Sequence, residues 1–89
     1  MIEKELLIVN KLGLHARAAS EFVKVAQRYS SVIELKKDNI SANGKSIISM
    51  MMLQATIGTP VIIRCEGEDE EQAMEALAGT IANRFGEDE

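Results

Sequence analysis

Val32-Ile33-Glu34-Leu35-Lys36-Lys37-Asp38-Asn39-Ile40-Ser41-Ala42 is the stretch that decides the fold. Ile33 and Leu35 alternate with Glu34 and Lys36, the period of a half-buried strand over Val32–Lys36. Lys37-Asp38-Asn39 supplies turn chemistry, and Ile40–Ala42 is a short return strand. Asn43-Gly44 then breaks the pairing. A hairpin in the middle of the chain makes the sheet largely antiparallel.

Upstream of the hairpin, Ile2–Val9 reads as a strand ending at Asn10, and Asn10–Leu14 as a loop with Gly13 as its pivot. Ala16–Tyr29 has helical periodicity. Ala19, Phe22, Val23 and Ala26 share one face, which Tyr29 closes, while Arg17, Glu21, Lys24 and Arg28 share the other. Downstream, Ser46 is a natural N-cap for a helix over Ile47–Leu53, and Gly58-Thr59-Pro60 ends that region. Val61–Glu66 is a fourth strand, with Val61, Ile63 and Cys65 on one side. Asp69-Glu70-Glu71-Gln72 reads as a capping box, Asp69 at the N-cap and Gln72 at N3. The last helix then carries Ala73, Leu77, Ile81 and Phe85 on a buried stripe and stops at Gly86. Glu87-Asp88-Glu89 is expected to fray. The order is β-α-β-β-α-β-α, which predicts a two-layer α/β open-faced sandwich. Three helices with single apolar stripes cover one face of the sheet, and the other face meets water.

Eighty-nine residues make one domain, 1–89, with no internal repeat or linker. The apolar share of 46% and charged share of 27% are those of a soluble globular chain. With Phe22, Phe85 and Tyr29 the only aromatics, the core must be aliphatic. A net charge of −4 and a pI near 5.0 argue against nucleic acid as a partner. No apolar run approaches the ~20 residues that span a bilayer, and Met1–Glu5 lacks the basic start and apolar block of a signal peptide. Cys65 stands alone, so no internal disulfide forms, and the cytoplasm is the expected compartment. One histidine and one cysteine without a further ligand set give no metal site, and no cofactor is implied.

His15 is the only histidine. It lies in Gly13-Leu14-His15-Ala16-Arg17-Ala18-Ala19, where loop gives way to helix. A nucleophilic histidine must be neutral, and its ordinary pKa lies near neutrality. The helix start and Arg17 both disfavour imidazolium, and both favour a phosphoryl group once it is attached. Each helix-end interaction with an exposed anion is worth ~0.3–1 kcal/mol, enough to support a phosphoryl group without trapping it. No second histidine or carboxylate lies in this segment to act as acid or base, so partners are expected to supply the catalytic machinery. Local chemistry alone leaves two readings open: a phosphoryl-carrying nucleophile or an ordinary helix-start histidine.

Gly13-Leu14-His15-Ala16-Arg17, Asn43-Gly44-Lys45-Ser46-Ile47 and Gly67-Glu68-Asp69-Glu70 stand at the spacings of one family. Over essentially its whole length the chain resembles the histidine-containing phosphocarriers of the bacterial phosphotransferase system. The resemblance implies an open-faced sandwich with strand order 1-4-2-3. It implies that His15 accepts a phosphoryl group, at Nδ1 in the family, from the first enzyme of the system after that enzyme is charged by phosphoenolpyruvate. His15 would pass it to an EIIA-type receiver protein of a sugar-specific or nitrogen branch, with Arg17 steadying the phosphate. The chain departs from many members by having Ala18 in place of proline and Leu12 in place of a polar residue. Ala18 relaxes the helix start, and Leu12 removes a polar contact to the ring. Neither touches the nucleophile or the arginine.

Asn43-Gly44-Lys45-Ser46 invites a P-loop reading, but the glycine required five positions before Gly44 is Asn39. Ser46 is first an N-cap. The resemblance adds a regulatory phosphorylation site, served in some bacteria by a dedicated serine kinase and phosphorylase. Ile47, Ile48, Met50, Met51, Met52 and Leu53 cannot all face the sheet, so part of this helix is an exposed apolar patch, and methionine suits a surface that fits several partners. The resemblance points to Ile47, Ile48 and Met51 as partner contacts. Arg17, Lys24 and Lys45 are expected to steer an acidic partner. The chain is expected to act as a monomer, without direct membrane insertion. The rival reading is a regulatory binding module switched by phosphorylation at His15 or Ser46. An autonomous enzyme fits poorly, because no second catalytic group is evident.

Overall fold

A computed structural model describes every residue, 1–89. In chain order the elements are β1 (Ile2–Leu7), α1 (Ala16–Ala26), β2 (Val32–Lys37), β3 (Ile40–Asn43), α2 (Ile47–Met51), β4 (Pro60–Glu66) and α3 (Glu70–Ala82), followed by a 3-10 turn over Arg84–Gly86. The central hairpin is present. Leu35 pairs with Ala42 and Lys37 with Ile40, so Asp38 and Asn39 alone make the turn. Asp38 takes a φ of 53°, a left-handed conformation that its short polar side chain tolerates. β4 lies between β1 and β2 and is antiparallel to both, which gives the order β1-β4-β2-β3.

Alternation along the strands separates the two faces of the sheet. Ile33 and Leu35 of β2 and Val61, Ile63 and Cys65 of β4 are buried against Ala19, Phe22 and Ala26 of α1 and Ala73, Leu77 and Ile81 of α3. On the opposite face Arg64 lies between Glu3 and Glu34 at 3.9 and 3.8 Å, a loose cross-strand arrangement suited to water. The expected β-α-β-β-α-β-α sandwich with order 1-4-2-3 is the observed one.

Element ends differ from the sequence reading, and backbone hydrogen bonds explain why. β1 stops at Leu7 rather than Val9; Ile8 exchanges backbone bonds with Thr59 and Gly58, just ahead of β4. α1 stops at Ala26 rather than Tyr29, because Arg28 and Tyr29 bond to Val25 and Ala26, three residues back. α2 ends at Met51 rather than Leu53 by the same tightening at Leu53 and Gln54. α3 ends at Ala82, not beside Gly86. Arg84 and Phe85 turn left-handed, at φ 56° and 54°, and this reversal drops Phe85 into the core. Phe85 is buried as expected, but not as a residue of the helical stripe.

The capping box is not formed. Asp69 holds the N-cap position of α3 without a side-chain cap bond. Its carboxylate accepts instead from the backbone N–H of Ser30 (2.8 Å) and of Ser31 (3.0 Å), and from both serine hydroxyls. The Ser31 hydroxyl contributes most, then the Ser30 amide, and together they pull the Asp69 carboxyl down to about 2. Charged acceptance across the gap between α1 and β2 outcompetes a local cap. Glu70 takes up the local role by accepting from the Gly67 N–H at 3.1 Å.

Candidate functional site

The loop before α1 is fixed at both ends. Asn10, fully buried, donates through Nδ2 to the Gly13 carbonyl at 2.7 Å. Gly13 has φ +68°, and a Cβ there would fall 2.5 Å from the Ala55 carbonyl oxygen, so only glycine fits. Leu14 is buried, and its N–H donates to that same Ala55 oxygen at 2.8 Å. His15 therefore enters the helix from an anchored position.

His15 is the N-cap residue of α1, with extended backbone (φ −80°, ψ 179°), and its carbonyl accepts from the Ala19 N–H at 2.8 Å. Its side chain does not cap, so the first amides of α1 stay available for an anion. The ring is partly exposed, at 30%. Arg17 is exposed and makes no hydrogen bond or ion pair with the protein, which leaves its guanidinium fork free beside the ring. An open cleft of about 410 Å³ lies in front of these groups, lined also by Lys11, Leu12 and the chain end, Glu87–Glu89.

The chain end is not frayed. The Glu87 N–H donates to the Arg84 carbonyl, Arg84 Nη1 donates to the Asp88 carbonyl at 3.0 Å, and the Lys11 N–H donates to the Glu89 carbonyl at 2.6 Å. The left-handed turn at Arg84–Phe85 sends residues 87–89 back across the loop that carries His15. Glu87 Oε2 lies 2.5 Å from His15 Nε2, and Glu87 Oε1 accepts from Asn10 Nδ2 at 3.0 Å. Burial alone would raise the Glu87 carboxyl. The hydrogen bonds from Asn10 and His15, with the charges of His15 and Arg17, outweigh it and hold the group below the ordinary glutamate range. Glu87 lies 72 residues from His15 along the chain, and no local signal in the sequence links the two.

Of the three cations expected to steer a partner, the structure leaves only Arg17 unengaged. Lys24 lies 3.6 Å from Glu21 on its own helix, and the Lys45 ammonium donates to the Tyr29 carbonyl at 2.7 Å. That last bond puts the start of α2 near the end of α1, while the bond from Leu14 to Ala55 puts the exit of α2 near the start of α1. Ser46 caps α2, accepting from the Ser49 N–H at 3.2 Å. The residue before it, Lys45, reaches the Tyr29 carbonyl just past the end of α1, whereas His15 stands at the start of that helix. Met50 and Leu53 face the core, while Ile48 and Met52 are 75% and 72% exposed and Ile47 and Met51 are less so. The expected apolar patch is therefore real, and Leu12, 69% exposed, adds a further apolar group at the His15 cleft.

Cys65 is fully buried, and burial pushes its thiol up, which leaves it an inert core residue. No three His, Cys, Asp or Glu side chains are placed to hold a metal ion, and no helix is long and apolar enough to cross a membrane.

A partly exposed histidine on an anchored loop, with free helix amides and a free arginine but no enclosed substrate pocket, has the features of a carrier of small anionic groups between proteins. Comparison with known proteins gives that class its family. Residues 2–83 match the family model described as the PTS HPr component phosphorylation site. The chain is 49% identical over 86 residues to phosphocarrier protein HPr of Pseudomonas aeruginosa, covering 96% of each chain. It is 43% identical over 89 residues to phosphocarrier protein HPr of Cupriavidus necator, covering all of both. It superposes on the crystal structure of HPr from Thermoanaerobacter tengcongensis with a TM-score of 0.95 and 45% identity, covering both chains in full. The chain belongs to the HPr family, the phosphocarriers of the phosphotransferase system, which transfer a phosphoryl group by way of a histidine and are not themselves catalysts.

Proposed function

We propose that residues 1–89 act as a single phosphocarrier domain in which His15 is the phosphoryl acceptor and Arg17 steadies the bound phosphate. The observation that carries this reading is the placement of the only histidine at the uncapped start of α1, beside a free guanidinium. In line with the family's function, the donor is the first enzyme of the phosphotransferase system and the acceptor an EIIA-type receiver protein, both met in the cytoplasm. Ile47, Ile48 and Met51 form the docking surface, and their exposure supports that role. Ser46 is the regulatory phosphorylation position. A phosphate there acts on docking, because Ser46 directly precedes the exposed apolar residues of α2.

The test is incubation with phosphoenolpyruvate and the first enzyme. Wild-type protein takes up one acid-labile phosphoryl group, and His15→Ala takes up none. Uptake by His15→Ala overturns the assignment. A purely regulatory module, the second reading, would take up phosphate but fail to charge any receiver.

A further inference from the structure

We infer that Glu87 is a positioning residue for phosphoryl transfer: held by buried Asn10, it fixes the proton of His15 on Nε2 and so leaves the Nδ1 lone pair as the nucleophile. This rests on the proposed role of His15. The geometry is a chain of three side chains, two from the loop before α1 and one from the segment after Gly86. Asn10 Nδ2 donates to the Gly13 carbonyl and to Glu87 Oε1, and Glu87 Oε2 meets His15 Nε2 at 2.5 Å. Asn10 is fully buried and Glu87 nearly so, at 12% exposure, so the carboxylate cannot swing freely. An ionised carboxylate only accepts, so the ring nitrogen facing it carries the hydrogen. Nδ1 makes no hydrogen bond within the protein. The depressed carboxyl of Glu87 keeps it ionised at neutral pH.

The same contact serves the chemistry in both directions. In charging, the Nδ1 lone pair forms the N–P bond as the bond from phosphorus to the donor breaks, and its electron pair leaves with the donor. The ring stays protonated at Nε2 and becomes positively charged, and that charge faces the Glu87 carboxylate. In discharge, the receiver's nucleophile forms its bond to phosphorus, the N–P pair returns to Nδ1, and the ring is neutral again with its hydrogen still on Nε2. No proton needs to move in either direction. A carboxylate behind a working imidazole selects the tautomer and steadies the imidazolium. Removing such a partner from a metal-ligating histidine costs ~10–100-fold, which sets the scale.

The experiment compares wild type, Glu87→Gln and Glu87→Ala by nitrogen NMR of the neutral ring and by steady-state charging from the phosphorylated first enzyme. Glu87 lies beyond the last helix, so the variants keep the core. Wild type is expected to show hydrogen on Nε2 almost exclusively. Glu87→Ala is expected to show a mixed tautomer population and a kcat about tenfold lower, with KM within twofold. In Glu87→Gln the amide oxygen is held by the Asn10 Nδ2 donor and the amide NH2 faces Nε2, so the hydrogen is expected to move to Nδ1 and kcat to fall at least as far as in Glu87→Ala. An unchanged tautomer and rate in Glu87→Ala overturns the inference, as does a rise in KM alone, which would make Glu87 a docking group. Phosphoryl uptake at a residue other than His15 in wild type would instead defeat the acceptor assignment itself, so the two failures are distinguishable.

Discussion

Two carboxylates clasp distant parts of this small chain, and they differ in what they hold. Asp69 ties the start of α3 to the connection between α1 and β2, and every donor it meets is a serine amide or hydroxyl that does not titrate near neutrality. Glu87 ties the chain end to the loop before α1, and one of its two partners is the ring of the only histidine. The first clasp is saturated and acts on stability. The second includes the proposed phosphoryl acceptor and, on that reading, acts on chemistry. Similar geometry thus serves two ends, and the nature of the donor decides which.

The comparison is most strongly broken at Gly67. A Cβ there would fall 2.7 Å from the Ser31 Cα, and the backbone has φ +156°. Gly67→Ala should therefore pry the Asp69 clasp apart and cost about 2 kcal/mol or more in chemical denaturation, while His15 keeps its tautomer. Asp69→Asn acts next. The folded carboxyl sits at about 2 against an ordinary 3.8, so its contribution is complete above the ordinary value and is lost as pH falls through about 2. Wild type should lose stability between about pH 4 and pH 2, and Asp69→Asn should be less stable at neutral pH and flatter across that window. Thermal melts at several pH values read both effects.

A smaller and purely functional effect is expected at the proposed docking patch. Ile48→Ser removes a side chain that is 75% exposed, so stability should change by less than about 0.5 kcal/mol. Loss of one apolar anchor should raise the KM for the first enzyme about tenfold and leave kcat unchanged. That is the inverse of the split expected for Glu87→Ala, so charging kinetics separate the surface that docks from the contact that tunes the ring.

What could be read from the sequence follows the range of each interaction. The hairpin at Asp38–Asn39, the Ser46 cap and the pivot at Gly13 depend on neighbours within a few residues, and all three stand in the structure. The apolar excess of α2 was legible because six apolar residues cannot share one face of a short helix. The Asp69 capping box failed because donors 38 and 39 residues away compete for the same carboxylate and win. Phe85 was rightly placed in the core by its spacing, yet it arrives there through left-handed backbone that no periodicity encodes. The tail looked free because three polar residues after a glycine carry no packing signal. Its partners, Lys11, Asn10 and His15, become neighbours only once the fold is complete.

The most direct test is nitrogen and phosphorus NMR of the charged protein. The predicted result is a single phosphohistidine at His15, with phosphorus bonded to Nδ1 and the hydrogen retained on Nε2. A phosphoryl group on Nε2, the nitrogen that Glu87 occupies, or on any other residue would contradict it.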